Sequence, residues 1–297
     1  MMIAFASVTT SGLFLDFENL LNVGERASVV GIVALGQMLV ILTGGIDLSV
    51  GGLIAIALTV VSKTEHLGVP PWLAIILACG ASMTLGALNG FLISKSKVPP
   101  FMITMGAMLF HFSLATWITG AGQLEYYHLQ DFLNQLFRLN RFGARLLPTF
   151  TWLFFSFLLI YMLGRSRFGH NVYATGGKER AAVLSGVKAG TVKILVYMLS
   201  GLFCALAGIV LAYRLGASNP NIGTAFLLES IAAVVIGGTS LMGGEGSIYG
   251  TLVGAFIMAT LVNLLNLLNA NPYLQEAIKG VMLVSFVFII QTLSRRK

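Results

Sequence analysis

Of 297 residues, 57% are hydrophobic and only 10% are charged, and the mean hydropathy is +0.88. A soluble domain carries about 25% charged residues, so these proportions exclude a water-soluble globule and leave a polytopic domain whose apolar exterior faces lipid. The net charge of +7 calls for no nucleic acid, because cytoplasmic loops of membrane proteins are themselves rich in Lys and Arg.

Apolar runs occur at 1–15, 27–44, 48–62, 72–93, 99–119, 148–164, 191–213, 226–241, 247–268 and 276–292. Residues 1–15 lack the basic start of a signal peptide and read as a shortened or tilted first helix. TWLFFSFLLIYMLG (151–164) shows none of the apolar–polar alternation of a barrel strand. The expected fold is therefore all-α: one transmembrane helical bundle over 1–297, with about ten spans. Cys79 and Cys204 each sit inside an apolar run, which supports neither a disulfide framework nor a zinc site, since zinc takes about four ligands.

Two segments interrupt the helical pattern in the same way: Leu42–Gly52 (LTGGIDLSVGG) and Ile236–Gly250 (IGGTSLMGGEGSIYG). Each sets paired glycines and small hydroxyl residues between apolar runs. Glycine costs a helix interior about 1 kcal/mol relative to alanine, and Gly-interrupted segments in two halves of a chain point to broken helices around a transport path. The candidate pathway residues are Gly44, Gly45, Asp47 and Ser49 in the first, and Gly237, Gly238 and Thr239 in the second, together with Glu229. Asp47 is the one acid between Arg26 and Lys63. It has three readings: a cap or tether for the helix that begins near Val50, a substrate contact, or an interfacial loop acid. Glu65 reads as an exposed loop acid. Glu229 opens SIAAVVIGG and reads as a helix N-terminal acid, favoured there by the helix dipole. His111, in FHFSLATW, has no nearby acid and reads as packing rather than a proton relay.

The segment 165–193 carries Arg165, Arg167, Lys178, Arg180, Lys188 and Lys193 against a single acid, Glu179. With Lys95, Lys97 and the tail Arg295–Lys297 it predicts a cytoplasmic side, with both termini inside. Arg26, Lys63, Arg138, Arg141, Arg145 and Arg214 then fall in the opposite loops. Within the segment, Ala181–Leu184 suits a short helix that could dock in a groove of a soluble partner or simply be solvated. It holds no Walker A loop: Gly177-Lys178 would need glycine at Val172 and Ser or Thr at Glu179. Any ATP hydrolysis therefore belongs to another polypeptide. No H-E-x-x-H pair or Ser/His dyad marks an intramembrane enzyme, and the spans offer few ionisable residues for a coupling-ion carrier.

LVILTGGIDLSVGGLIAIA (39–57), FGHNVYATGGKERAAVLSGV (168–187), YMLSGLFCALAGIVLAYRLGASNPNIG (197–223) and LESIAAVVIGGTSLMGGEGSIYGTLVGAF (228–256) together resemble the permeases of ribose-type ABC sugar importers, related to the branched-chain amino acid permeases. The resemblance runs from about Phe17 to the C-terminus, and GGIDLSVG is similar to the sugar branch. It implies a type II-like, non-catalytic permease without cofactor or metal, in a prokaryotic inner membrane. Its implied partners are a second permease copy or paralogue, a cytoplasmic ATP-binding subunit, and a periplasmic or lipid-anchored sugar-binding protein. The implied substrate is ribose or a similar monosaccharide, with a furanosyl autoinducer as the alternative. The implied coupling helix matches Gly176–Gly186: Gly176, Gly177 and Glu179 at its start, small residues Ala181, Ala182, Ser185 and Gly186, and Leu184 as anchor. Lys178 stands where the family commonly has Asn, and Glu245 where a basic residue is common.

Overall fold

The computed structural model describes residues 2–10, 12–120, 124–125 and 128–294. Thirteen α-helices hold most of them: α1 Met2–Thr9, α2 Phe17–Leu42, α3 Val50–His66, α4 Pro71–Lys95, α5 Pro100–Thr119, α6 Leu129–Leu136, α7 Arg141–Arg165, α8 Arg167–Gly177, α9 Glu179–Leu184, α10 Ala189–Leu215, α11 Thr224–Ile236, α12 Ile248–Leu267 and α13 Pro272–Ser294. Among the described residues, the one strand pairing is antiparallel and two residues long, Leu124–Glu125 (β1) against Ala217–Ser218 (β2). The chain is an all-helical, polytopic membrane protein.

Among the described residues, six helices are long and apolar enough to cross a membrane by length and composition: α2, α4, α5, α7, α10 and α12. This is fewer than the ten apolar runs. Within the run at 1–15, the described residues include the eight-residue α1 and a 3-10 turn at Leu13–Leu15. At 1.5 Å per residue α1 is about 12 Å long, well short of the roughly 30 Å hydrocarbon core. The runs at 48–62 and 226–241 become the 17-residue α3 and the 13-residue α11, each starting or ending at a break. The basic tail Arg295–Lys297 lies outside the described residues.

α2 is the axis of the bundle. In its most apolar stretch 94% of residues are buried, against 22% in α4 and 17% in α5, which lie at the periphery. Small residues set the closest crossings, as expected where helices associate by packing rather than by the hydrophobic effect. Gly86 on α4 and Gly201 on α10 have no room for a Cβ, which would overlap the Tyr197 and Ser82 carbonyls respectively. Gly31 leaves a notch on α2 that the buried indole of Trp152 on α7 fills.

Ion pairs gather at the end of the bundle where α2 and α7 begin and α10 ends. Arg145 pairs with Glu18 and, at 2.7 Å, with Glu25; Arg214 reaches the other Glu25 oxygen at 3.0 Å. Arg26 pairs with Glu229 at 2.7 Å, Lys279 meets the same oxygen at 3.1 Å, and Glu276 meets Lys279 at 2.5 Å. Arg26 therefore lies within α2, not in a loop. At the other end, where α2 and α11 terminate, the fold collects α8, α9 and the loop after α4, with the basic residues of 165–193 and Lys95.

Candidate functional site

Both glycine pairs end a helix by the same device. After α2, Gly44 takes φ +79° and donates its N–H to the Ile41 carbonyl at 2.9 Å, while Gly45 donates to Val40 at 3.1 Å. After α11, Gly238 takes φ +83° and donates to Val235 at 2.9 Å, while Thr239 donates to Val234 at 3.2 Å. These are matching Schellman caps. They satisfy terminal carbonyls that lipid could not solvate, and the left-handed residue is a glycine each time.

The two breaks then meet each other and the C-terminal end of α8. The Gly244 N–H donates to the Leu42 carbonyl at 2.9 Å. Gly243 and Gly244 hold φ of +85° and +75°. A Cβ on Gly243 would stand 2.8 Å from the Gly44 nitrogen and 3.0 Å from the Gly176 carbonyl oxygen; one on Gly244 would stand 2.7 Å from the Gly177 Cα. A Cβ on Gly176 would overlap the Leu42 carbonyl and stand 2.6 Å from the Gly244 nitrogen. Three backbones thus touch where no side chain fits. Tyr173, one turn back on α8, donates its hydroxyl to the Gly246 carbonyl at 3.0 Å, and burial pushes that hydroxyl's pKa up.

Asp47 lies fully buried between the breaks and α10. Its Oδ1 accepts from the Ser49 N–H at 2.9 Å and the Ser49 hydroxyl at 2.6 Å, and its Oδ2 from the Ser200 hydroxyl at 2.9 Å. Asn89 on α4 donates to the Ser49 hydroxyl at 3.0 Å. Asp47 therefore closes a turn on the residue two ahead and ties that turn to α10; it does not cap the first turn of α3, whose N-cap is Ser49. Thr104 on α5 completes the support, accepting the Leu48 N–H and donating to the Ile46 carbonyl, each at 3.1 Å. Sequence reasoning missed Asn89, Thr104 and Ser200. Their only signal is a polar residue inside an apolar run, which in a membrane implies a partner.

Glu229 does not join this cluster. α11 begins at Thr224, so Glu229 stands in its second turn and not at its N-terminus, fully buried against Arg26 and Lys279 at the opposite end of the bundle. Glu65 is not an exposed loop acid: it lies in the last turn of α3, is 6% exposed and accepts the His128 N–H at 3.3 Å. His111 is buried on α5 against Gly52 of α3, a packing position.

α9 forms as the short helix expected, Glu179–Leu184, with Gly186 in a left-handed cap at φ +88°. Its small residues divide: Ala182 turns inward and is buried, whereas Ala181, Ser185 and Gly186 are exposed. Leu184 is 90% exposed and Val183 53%. Glu179 pairs with Lys193 of α10 at 2.7 Å. Behind it, a cavity of about 270 Å³ runs between Thr43, Gly45, Thr175, Glu179, Lys193 and Tyr197, joining the first break to the base of α9.

Comparison with known proteins gives the family of the chain. The family profile described as "Branched-chain amino acid transport system / permease component" matches residues 19–287. The ribose import permease protein RbsC of Bacillus subtilis is 40% identical over 282 residues, covering 93% of this chain and 85% of that relative. RbsC of Escherichia coli K12 is 38% identical over 97% of this chain and 90% of its own length, and the fructose import permease protein FrcC of Rhizobium meliloti 36% identical over 98% and 82%. No solved structure matches. An all-helical membrane fold, two glycine breaks joined beneath a short exposed helix, and near full-length similarity to sugar import permeases place this chain in the branched-chain amino acid transport system permease family, as a permease of the ribose-type ABC sugar importers.

Proposed function

We propose that this chain is the translocation subunit of an ATP-driven importer that carries a monosaccharide, ribose or a close relative, across a prokaryotic inner membrane. A separate binding protein delivers the sugar, a second permease copy or paralogue completes the path, and a cytoplasmic ATP-binding subunit docks on α9. The observation that carries this reading is the backbone junction of Gly176 with Leu42 and Gly244. A push on α9 moves the end of α8, and no side chain lies between that end and the two breaks to absorb the displacement. Both interrupted helices therefore receive one input. The relatives' printed names, ribose and fructose import permeases, support the substrate class.

Leu184 is the anchor of the docking surface. Ala182→Trp is a poor probe, because Ala182 faces inward and the bulk would clash within the permease itself. Leu184→Asp changes only an exposed knob. It should leave insertion and monodispersity unchanged while lowering co-purification of the ATP-binding subunit and liposome uptake by about tenfold, the loss of roughly 1.4 kcal/mol. Wild-type co-purification and uptake in Leu184→Asp would reduce α9 to a solvated connector.

The orientation belongs to the same proposal: α8, α9 and the loop after α4 face the cytoplasm. Arg26, Arg145 and Arg214 at the other end each carry an acidic partner, while at the α8–α9 end Glu179–Lys193 is the ion pair among the described residues. Unpaired basic charge thus concentrates on one side. A cysteine introduced at Asp131 should react with an impermeant thiol reagent in intact cells, and one at Lys178 only after permeabilisation. The reverse pattern inverts the protein.

A further inference from the structure

A cavity of about 1160 Å³ opens at the end of the bundle opposite α9, between the beginnings of α2 and α7, the end of α10, and α6. Its charged lining is Glu18, Glu25, Arg145 and Arg214, two acids and two bases. All four are consumed in mutual ion pairs. A cleft lined by one sign of charge concentrates the opposite sign; here the charges cancel, so the field favours neither an anion nor a cation.

The uncharged lining is polar and partly unused. The Asn22 Oδ1 accepts from Arg145 at 2.7 Å, the Asn134 Oδ1 accepts from the Tyr213 hydroxyl at 2.7 Å, and the Gln130 Nε2 donates to the Tyr213 carbonyl at 2.6 Å. Each amide is thereby fixed by one arm. Among the described residues no hydrogen bond occupies the Asn22 and Asn134 amino groups or the Gln130 carbonyl oxygen. Pro148 adds a further acceptor. Having no N–H, it gives nothing to the Ala144 carbonyl one turn back, and both residues line the cavity. Phe142, which lines the cavity, stacks on Phe17 with centroids 5.9 Å apart and planes at 19°, and both rings are half exposed.

Oriented donors and acceptors, a cancelled field and an aromatic platform describe a site for a neutral polyol. We infer that this cavity is a monosaccharide-holding vestibule within a single permease chain, in which the delivered sugar rests before it passes inward. The inference rests on the import reading above, and it adds a binding site to a subunit that the reading requires only to conduct. Amides and the open Ala144 carbonyl take the hydroxyl groups, and a ring C–H face lies on Phe142.

The test uses the full-length permease in nanodiscs, without binding protein or ATP-binding subunit. Equilibrium dialysis with radiolabelled D-ribose, D-fructose, D-allose and D-xylose should show saturable binding of at least one sugar, with a Kd of about 1–10 mM. Ribose 5-phosphate should bind no tighter than ribose. Phe142→Ala and Asn134→Ala should each weaken the bound sugar by about tenfold, with unchanged elution and thermal unfolding, and Phe142→Tyr should restore it. Absence of saturable binding by all four sugars up to about 100 mM overturns the vestibule. So does equal binding in wild type and both alanine variants. If the variants weaken capture of the binding protein and leave sugar binding intact, the cavity is a docking face and the inference also fails. Uptake of the same sugars by the reconstituted importer is measured in parallel. Uptake without binding by the isolated permease removes only the vestibule, whereas absence of uptake of every sugar removes the import reading itself.

Discussion

Gly176→Leu is expected to abolish sugar uptake while leaving the ATP-binding subunit bound. A Cβ at Gly176 overlaps the Leu42 carbonyl and presses on the Gly244 nitrogen at 2.6 Å. Both are backbone atoms held by a hydrogen bond to each other, so neither side can yield without dismantling the junction. The exposed face of α9 is untouched, since Val183 and Leu184 lie beyond it. The neighbouring residue supplies the control. A Cβ on Gly177 meets nothing within 4 Å, so Gly177→Ala should transport at close to the wild-type rate. Uptake in proteoliposomes and ATPase co-purification separate the outcomes. If Gly176→Leu transports as well as Gly177→Ala, the junction carries no motion. If it loses the ATP-binding subunit as well, the damage has spread to α9 and the coupling argument gains nothing from it.

Asp47→Leu should be the second severe change, through a different cause. The carboxylate is the acceptor for two hydroxyls and one backbone N–H, all buried. Leucine leaves each of them unsatisfied at a cost of about 1–3 kcal/mol apiece, and releases the turn from α10. Asp47→Asn keeps one accepting oxygen and should retain part of the activity. Asp131→Leu, an exposed acid on α6, should leave uptake and thermal unfolding near wild type. Equal uptake by Asp47→Leu and Asp131→Leu would strip Asp47 of any special part. Loss of uptake with an unchanged unfolding temperature would move Asp47 from support of the fold to contact with the path.

The breaks were legible because their chemistry is local. Gly44-Gly45 and Gly237-Gly238 end their helices through bonds that reach back only a few residues, and such caps have a sequence signature. The short α9 was legible for the same reason. What local pattern could not show is which distant backbones close on each other. Gly176 meets Leu42 and Gly244 across long stretches of chain, and nothing in GG or GGEGS names that partner. The ion pairs were hidden likewise. Glu25 and Arg26 look like an ordinary polar pair near a helix start, yet their partners are Arg145, Arg214 and Glu229. Glu229 was misplaced because the 3-10 turn at Pro220–Gly223 runs directly into α11, starting that helix earlier than the apolar pattern suggests. Ala182 was assigned to the docking face because small size suits an interior contact as well as an interface.

The adjacency of Glu25 and Arg26 has a mechanical meaning. Neighbouring residues on an α-helix point about 100° apart, and on α2 these two carry opposite charge into two separate sockets, one formed by α7 and α10 and the other by α11 and α13. Turning α2 about its own axis would pull Glu25 from Arg145 and Arg214 and Arg26 from Glu229 at the same time. The helix is therefore keyed like a shaft: rotation in either sense would break both sets of ion pairs. A rearrangement that keeps these pairs leaves the rotation of α2 unchanged, and a charge reversal that preserves the key exchanges both residues and all their partners together.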